Sequence, residues 1–164
     1  MIIRTLDAPF IKQAVKLASK VFPYRALSVH LSFWAYGHQG NPIVSELMRL
    51  AGYVPPIDYW VALDENNEVI GTTGIYTYKK DSREAVWMAW FCVDPAHKGQ
   101  GIGKRLLEHS IAMARAQGKQ YFRLYTSTLP REAAAQRLYE KYNFKITKKK
   151  NRVFYQLLYR ELAL

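Results

Sequence analysis

The sequence predicts a mixed α/β fold, a sheet of about seven strands flanked by helices, in one domain spanning residues 1–164. Three observations predict it. Val86-Trp87-Met88-Ala89-Trp90-Phe91-Cys92-Val93 is apolar and aromatic without a breaker, the pattern of a strand buried on both faces. A glycine-rich turn, a helical pattern and the β-prone stretch Tyr121 to Thr128 follow it. Two strands joined by a helix of that length form a right-handed parallel crossover. Shorter strand patterns separated by turn residues flank this unit and read as antiparallel hairpins. A chain of 164 residues is long enough to bury a substantial core.

In chain order, Met1 to Leu6 reads as the first strand. Asp7 is placed to cap the helix that follows, with Pro9 in its first turn. Ile11, Ala14, Val15, Ala18 and Phe22 recur at helical spacing until Pro23. Ser28 to Tyr36 is apolar and aromatic, Gly37 to Pro42 reads as a loop, Ile43 to Leu50 as a helix, and Gly52 to Pro56 ends the region. Its aromatics and histidines (Tyr24, His30, Phe33, Trp34, Tyr36, His38, Tyr53) suit a core or the wall of a pocket; nothing pairs the histidines as metal ligands. Asp58 to Leu63 and Glu68 to Tyr78 form a hairpin around residues 64–67. Pro95 ends the central strand. From Ile102, apolar positions 102, 106, 107, 111 and 114 define a helix that Gly118 stops. Pro130 opens a further helix, and Asn143 stands where a left-handed residue closes it. Lys145 to Lys150 and Val153 to Leu162 form a closing hairpin around Asn151.

The glycine turn is Lys98-Gly99-Gln100-Gly101-Ile102-Gly103. A strand, a glycine turn and a helix start together make an anion site, because the first helical N–H groups lack partners and the positive end of the helix dipole lies there. A Walker loop ending at Gly103-Lys104 would need glycine at 98 and Ser or Thr at 105, but these are Lys98 and Arg105. The spacing G-x-G-x-G also fails the dinucleotide pattern G-x-G-x-x-G. What fits is Arg/Gln-x-x-Gly-x-Gly/Ala, and here the chain resembles the GCN5-related N-acetyltransferase (GNAT) family, with Lys98 at the usual Arg/Gln position. A second motif agrees. Ala135-Gln136-Arg137-Leu138-Tyr139-Glu140-Lys141-Tyr142-Asn143-Phe144 is similar to the family's closing helix, Ala-x-x-Leu-Tyr-Glu-Lys-x-Gly-Phe. The resemblance is specific over roughly residues 85 to 145.

The resemblance implies a mixed, twisted sheet with splayed fourth and fifth strands, and an acetyl group moved from acetyl-CoA to a primary amine of a small molecule, peptide or protein by direct attack in a ternary complex, with no metal. It implies a cofactor site of Phe91, Cys92 and Val93 along the pantetheine arm and Lys98, Gly99, Gln100, Gly101, Ile102, Gly103 and Lys104 around the pyrophosphate. It implies Tyr139 as the acid that protonates the leaving thiolate. The chain departs from the family in its base. Trp87 to Ala89 and Leu124-Tyr125-Thr126 offer no carboxylate where many relatives carry glutamate, and Glu132 stands near the position of a common asparagine. Glu84, Asp81, Glu132, His97 and Tyr125 remain open as the base, as does a water chain.

The net charge of +11 is uneven. Residues 1–97 hold nine basic and nine acidic side chains, and residues 98–164 hold fifteen and four. The excess therefore begins at the glycine loop; a polyanionic cofactor with three phosphates is one sufficient cause and a nucleic-acid surface is the rival cause. Lys145, Lys148, Lys149, Lys150 and Arg152 also suit a solvated edge strand. Two other functions compete with catalysis: an acyl-CoA-binding sensor without turnover and, ranked last, a basic nucleic-acid binder. The lone Cys92 allows no internal disulfide and reads as a buried thiol. With no signal-peptide layout and no bilayer-length apolar run, the expectation is a cytoplasmic protein without a membrane partner. Association as a homodimer is left open.

Overall fold

Alternate residues of a strand face opposite sides of its sheet. The computed structural model, which describes residues 1–164, divides the apolar residues accordingly. The strands are β1 (Ile2–Thr5), β2 (Tyr53–Leu63), β3 (Val69–Tyr78), β4 (Ala85–Val93), β5 (Tyr121–Ser127), β6 (Lys145–Asn151) and β7 (Gln156–Ala163). The helices are α1 (Ala8–Val21), α2 (Ala26–His38), α3 (Pro42–Leu50), α4 (Ile102–Ala116) and α5 (Ala133–Lys141). They flank one mixed sheet of order β1-β2-β3-β4-β5-β7-β6. Only β4 and β5 pair in parallel, across α4; the other neighbours are antiparallel. Tyr59, Val61 and Leu63 join the core beneath α1–α3, whereas Trp60 and Ala62 join the cores beneath α4 and α5. Leu106 and Leu107 of α4 are fully buried. Each such leucine contributes about 2 kcal/mol of transfer free energy. Gly74 is required by packing, because a Cβ there would lie 2.6 Å from the Asp58 carbonyl and 2.5 Å from the Tyr59 ring.

Several expected boundaries move. Strand β2 begins at Tyr53 rather than Asp58, and its ladder is interrupted between Val54 and Asp58, where Pro55 and Pro56 have no N–H to give. Helix α2 runs to His38 and includes Gly37. Asp7 occupies the cap position of α1, but its side chain makes no cap bond and pairs with Arg4 instead. The last turn lies at Arg152–Tyr155, closed by the Arg152 N–H on the Tyr155 carbonyl. Val153 and Phe154 are therefore in the turn, fully solvated, and not in a strand. Strand β7 passes between β5 and β6, leaving the lysine-rich β6 as an exposed edge. Asn143 and Gly118 take the positive φ expected of them, 61° and 66°.

The feature that positions the site is a break in the sheet. Strands β4 and β5 pair only over Ala85–Trp87 and Tyr121–Arg123. Beyond that, β4 remains paired with β3 and β5 with β7, so the two strands part and leave a notch. Arg123 clasps the closed end, bonding Asp81 at 2.8 Å, Glu84 at 2.8 Å and Glu161 at 2.7 Å. A bulge in β4 sits beside the notch: Ala89 to Cys92 on β4 opposes only Gly74 to Thr72 on β3. As a result Ala89 and Trp90 both pack toward the α1 side, while Phe91 faces the α4–α5 side.

Candidate active site

The notch opens into a cavity of about 590 Å³. Met88 to Phe91 of β4 and Leu124 to Ser127 of β5 form its two strand walls. Helices α2 and α3 close one side, and Tyr155 and Leu157 of the last hairpin close another. The lining is mainly apolar and aromatic, and its only charged residues are Arg25 and Glu132.

The glycine turn lies at one end of the notch. A Cβ placed on Gly103 would meet Val93, Leu138 and Phe91 at 3.7–3.8 Å, so the start of α4 is seated against β4 and α5. Gly99 and Gly101 have φ of 81° and 75°, in the region that favours glycine, and nothing lies within 4 Å of a Cβ built on either. The N–H groups of Ile102, Gly103 and Lys104 bond to no backbone carbonyl. Ile102 is buried in the core beneath α4, and Lys98, Gln100 and Lys104 are exposed around the turn. These residues thus combine open space, free N–H groups and basic side chains.

Along β4, the Asp94 N–H donates to the Ile70 carbonyl of β3 at 2.8 Å. Backbone groups alternate in direction along a strand. Those of Cys92 therefore turn to β3, and those of Phe91 and Val93 turn into the notch. The Cys92 thiol is buried in the core, and burial pushes it far above the usual thiol range. A reactive cysteine needs the opposite shift.

Tyr139 of α5 lines the cavity and is 5% exposed. Its ring packs on Phe91 at 5.9 Å and Phe144 at 5.7 Å. Its O–H reaches only the Met88 sulfur, at 3.7 Å, a weak acceptor. Burial, and secondarily the Glu132 charge, push its phenol well above the ordinary value. Helix α5 is held in place by Arg160, which is 3% exposed. The Arg160 guanidinium donates to Gln136 at 2.7 and 3.0 Å, to Glu140 at 2.8 Å and to the Phe144 carbonyl at 3.1 Å. Gln136 in turn donates to the Ser127 carbonyl at the end of β5. The sequence reading did not single out Arg160. Its signal is an arginine in register with Leu158 on the inward face of an apolar strand.

The five candidate bases separate. Asp81 and Glu84 belong to the Arg123 clasp at the closed end of the sheet. His97 lies in the turn before Lys98 and does not line the cavity. Glu132 and Tyr125 do line it. Of the aromatics and histidines singled out between residues 24 and 53, Tyr24, Trp34 and Tyr53 reach the wall, which Phe22, Tyr59 and Tyr76 also line. Phe33 is core, stacked on Tyr59 at 4.6 Å, and Tyr36 donates to the Leu6 carbonyl. No group of three or more His, Cys, Asp or Glu side chains is arranged to hold a metal, and no helix is long and apolar enough to cross a membrane.

A family model described as an acetyltransferase (GNAT) domain matches residues 55–146. The chain belongs to the GNAT acetyltransferase family. The match runs from near the start of β2 into β6 and so contains the notch, the glycine turn and Tyr139. This GNAT chain is also 29% identical over 108 residues to the peptidyl-lysine N-acetyltransferase YjaB of Salmonella typhimurium. That alignment covers 65% of this chain and 64% of the relative, so the chain spans less than two thirds of the curated relative it matches. Its fold is similar to that of a candidate GNAT acetyltransferase from Desulfovibrio desulfuricans (TM-score 0.72, 16% identity, 99% and 98% of the two chains). It is similar also to that of an aminoglycoside 6′-N-acetyltransferase complexed with coenzyme A (TM-score 0.70, 18% identity, 99% and 97%).

Proposed function

We propose that this GNAT chain is an N-acetyltransferase that takes its acetyl group from acetyl-CoA and gives it to a primary amine of a small molecule or peptide, as one domain of residues 1–164 working in the cytoplasm. The observation that carries the reading is the notch between β4 and β5, with the glycine turn at one end and a buried, poorly bonded phenol on its wall. Membership of the family and the coenzyme A held by the aminoglycoside enzyme of like fold support the same ligand.

The residues fit that ligand. The N–H groups of Ile102, Gly103 and Lys104 are free for its pyrophosphate, Gly99 and Gly101 leave room for it, and Lys98 and Lys104 add positive charge. Phe91 and Val93 present strand-type backbone groups to its amide-bearing arm. Bound acetyl-CoA supplies a thioester whose acetyl group a neutral amine converts to an amide, releasing a thiol. The protein's part is to hold the amine close and to supply hydrogen bonds. Tyr139 is the donor for the sulfur: its O–H gives up a weak thioether acceptor for the developing thiolate. The proton that sulfur gains is balanced by the one that the amine nitrogen loses, so the phenol is restored at the end of the cycle.

The test is acetyl-CoA binding by calorimetry, with a Gly101→Glu variant alongside. The variant puts a carboxylate into the anion site at a position whose φ disfavours any side chain. We expect micromolar or tighter binding that is lost in the variant. A folded wild-type chain that does not bind acetyl-CoA would overturn the reading.

A further inference from the structure

We propose that the acceptor is an apolar primary amine, one ammonium on an aromatic or alkyl body, and that Glu132 is the group that receives it. The proposal rests on the acetyl-transfer reading and names the substrate class of the same cavity. Glu132 is the one carboxylate that lines the cavity, and it makes no ion pair. Arg25, the other charged lining residue, is exposed. A polycation would therefore press its second and third charges against leucine, tyrosine and tryptophan, at a large desolvation cost. An apolar body finds matching walls in Trp34, Leu47, Tyr53, Trp90 and Tyr125.

The carboxylate is built to exchange one partner. A carboxylate has about four lone-pair sites. Three are filled at good distances: Oε2 accepts from the Thr126 hydroxyl at 2.6 Å and the Ser127 N–H at 2.8 Å, and Oε1 from the Ser127 hydroxyl at 2.6 Å. The fourth contact is the Tyr24 hydroxyl to Oε1 at 3.3 Å, long for an O–H donor. Tyr24 is 47% exposed, and its ring lies beneath the Arg131 guanidinium at 4.1 Å. Arg131 is thus engaged by the ring, and Glu132 keeps a negative charge fixed by three donors with one site loosely held. An arriving ammonium displaces the Tyr24 hydroxyl and takes that site. Its free-amine form, after one proton leaves to solvent, is then in the cavity that Tyr139 and the two strand walls also line.

The experiment is calorimetry of the full chain at pH 7.5 with 2-phenylethylamine and its isostere 2-phenylethanol, then with spermidine and the amide of Nα-acetyl-lysine. The amine should bind at least about tenfold more tightly than the alcohol, the range of a charge-assisted hydrogen bond, and more tightly than either rival amine. In Glu132→Gln the amine-to-alcohol ratio should collapse to near one, an outcome that a purely structural role would not produce because both ligands share the same walls. Tyr24→Phe leaves the three-donor clamp intact and should tighten amine binding several-fold; it tests the proposal even if Glu132→Gln fails to fold. A ratio that survives Glu132→Gln, amine binding that Tyr24→Phe leaves unchanged or weakens, or spermidine or the lysine amide binding as tightly as phenylethylamine, would overturn the assignment. Acetyl-CoA binding measured on the same samples separates the two readings: its loss removes the acetyl-transfer reading, whereas the amine results judge Glu132.

Discussion

Tyr139 is a hydroxyl enclosed among aromatic rings with only a thioether for company, and that isolation shapes what it can do. Burial raises its pKa, so the phenol stays protonated through neutral and mildly alkaline solution. Raised affinity for the proton means that the donor form is lost only at higher pH than for an ordinary tyrosine. The pH–rate profile should therefore show no fall from this group up to about pH 9. Tyr139→Phe should lower kcat about a hundredfold while acetyl-CoA affinity stays within about twofold, as read by thiol release and calorimetry. At this scale the sequence was legible where a residue sat in a motif. Tyr139, which lines the cavity, and the glycines of the open turn were singled out that way. Glu132 was one of five candidates, because nothing in the chain order says that Asp81 and Glu84 lie with Arg123 at the closed end of the sheet.

Among the elements, α5 carries Tyr139, shares a core with Phe122 and Leu124 of β5, and is tied to β7 and β5 by polar contacts through Arg160 and Gln136. Arg160→Leu leaves the Phe144 carbonyl and the Gln136 amide oxygen without their donor. The expected cost is about 2–4 kcal/mol in urea denaturation, with a loss of kcat because the phenol is no longer held against Phe91. Strand β4, the turn, α4 and β5 were legible because their periodicities are local and long. The last hairpin was less so. Its turn, with Val153 and Phe154 solvated, reads like strand by composition, and the placement of β7 between β5 and β6 is a pairing over long sequence distance that no local pattern encodes. The bulge at Ala89–Trp90 was likewise invisible, since an apolar run looks the same with or without an extra residue. The prolines of β2 were read as an end because they usually are one; the strand accepts them where its ladder is broken.

Over the whole molecule, the excess positive charge belongs entirely to residues 98–164. Part of it surrounds the glycine turn and part lies on the exposed β6 edge. Attraction to a triply phosphorylated ligand should thus be screened by salt, and acetyl-CoA affinity should fall about three- to tenfold between 50 and 500 mM NaCl, measured by calorimetry. A smaller change would mean that the free N–H groups of the turn, rather than the lysines, dominate. The short parallel ladder between β4 and β5 has a mechanical consequence too. Within the sheet, β1–β4 and β5–β7 are two leaves whose strands pair directly over only three residue pairs, clasped by Arg123. Such a joint flexes more easily than either leaf, so slow opening should concentrate along it. A long molecule lying in the gap would touch both leaves and act as a splint, stiffening the protein across this short ladder.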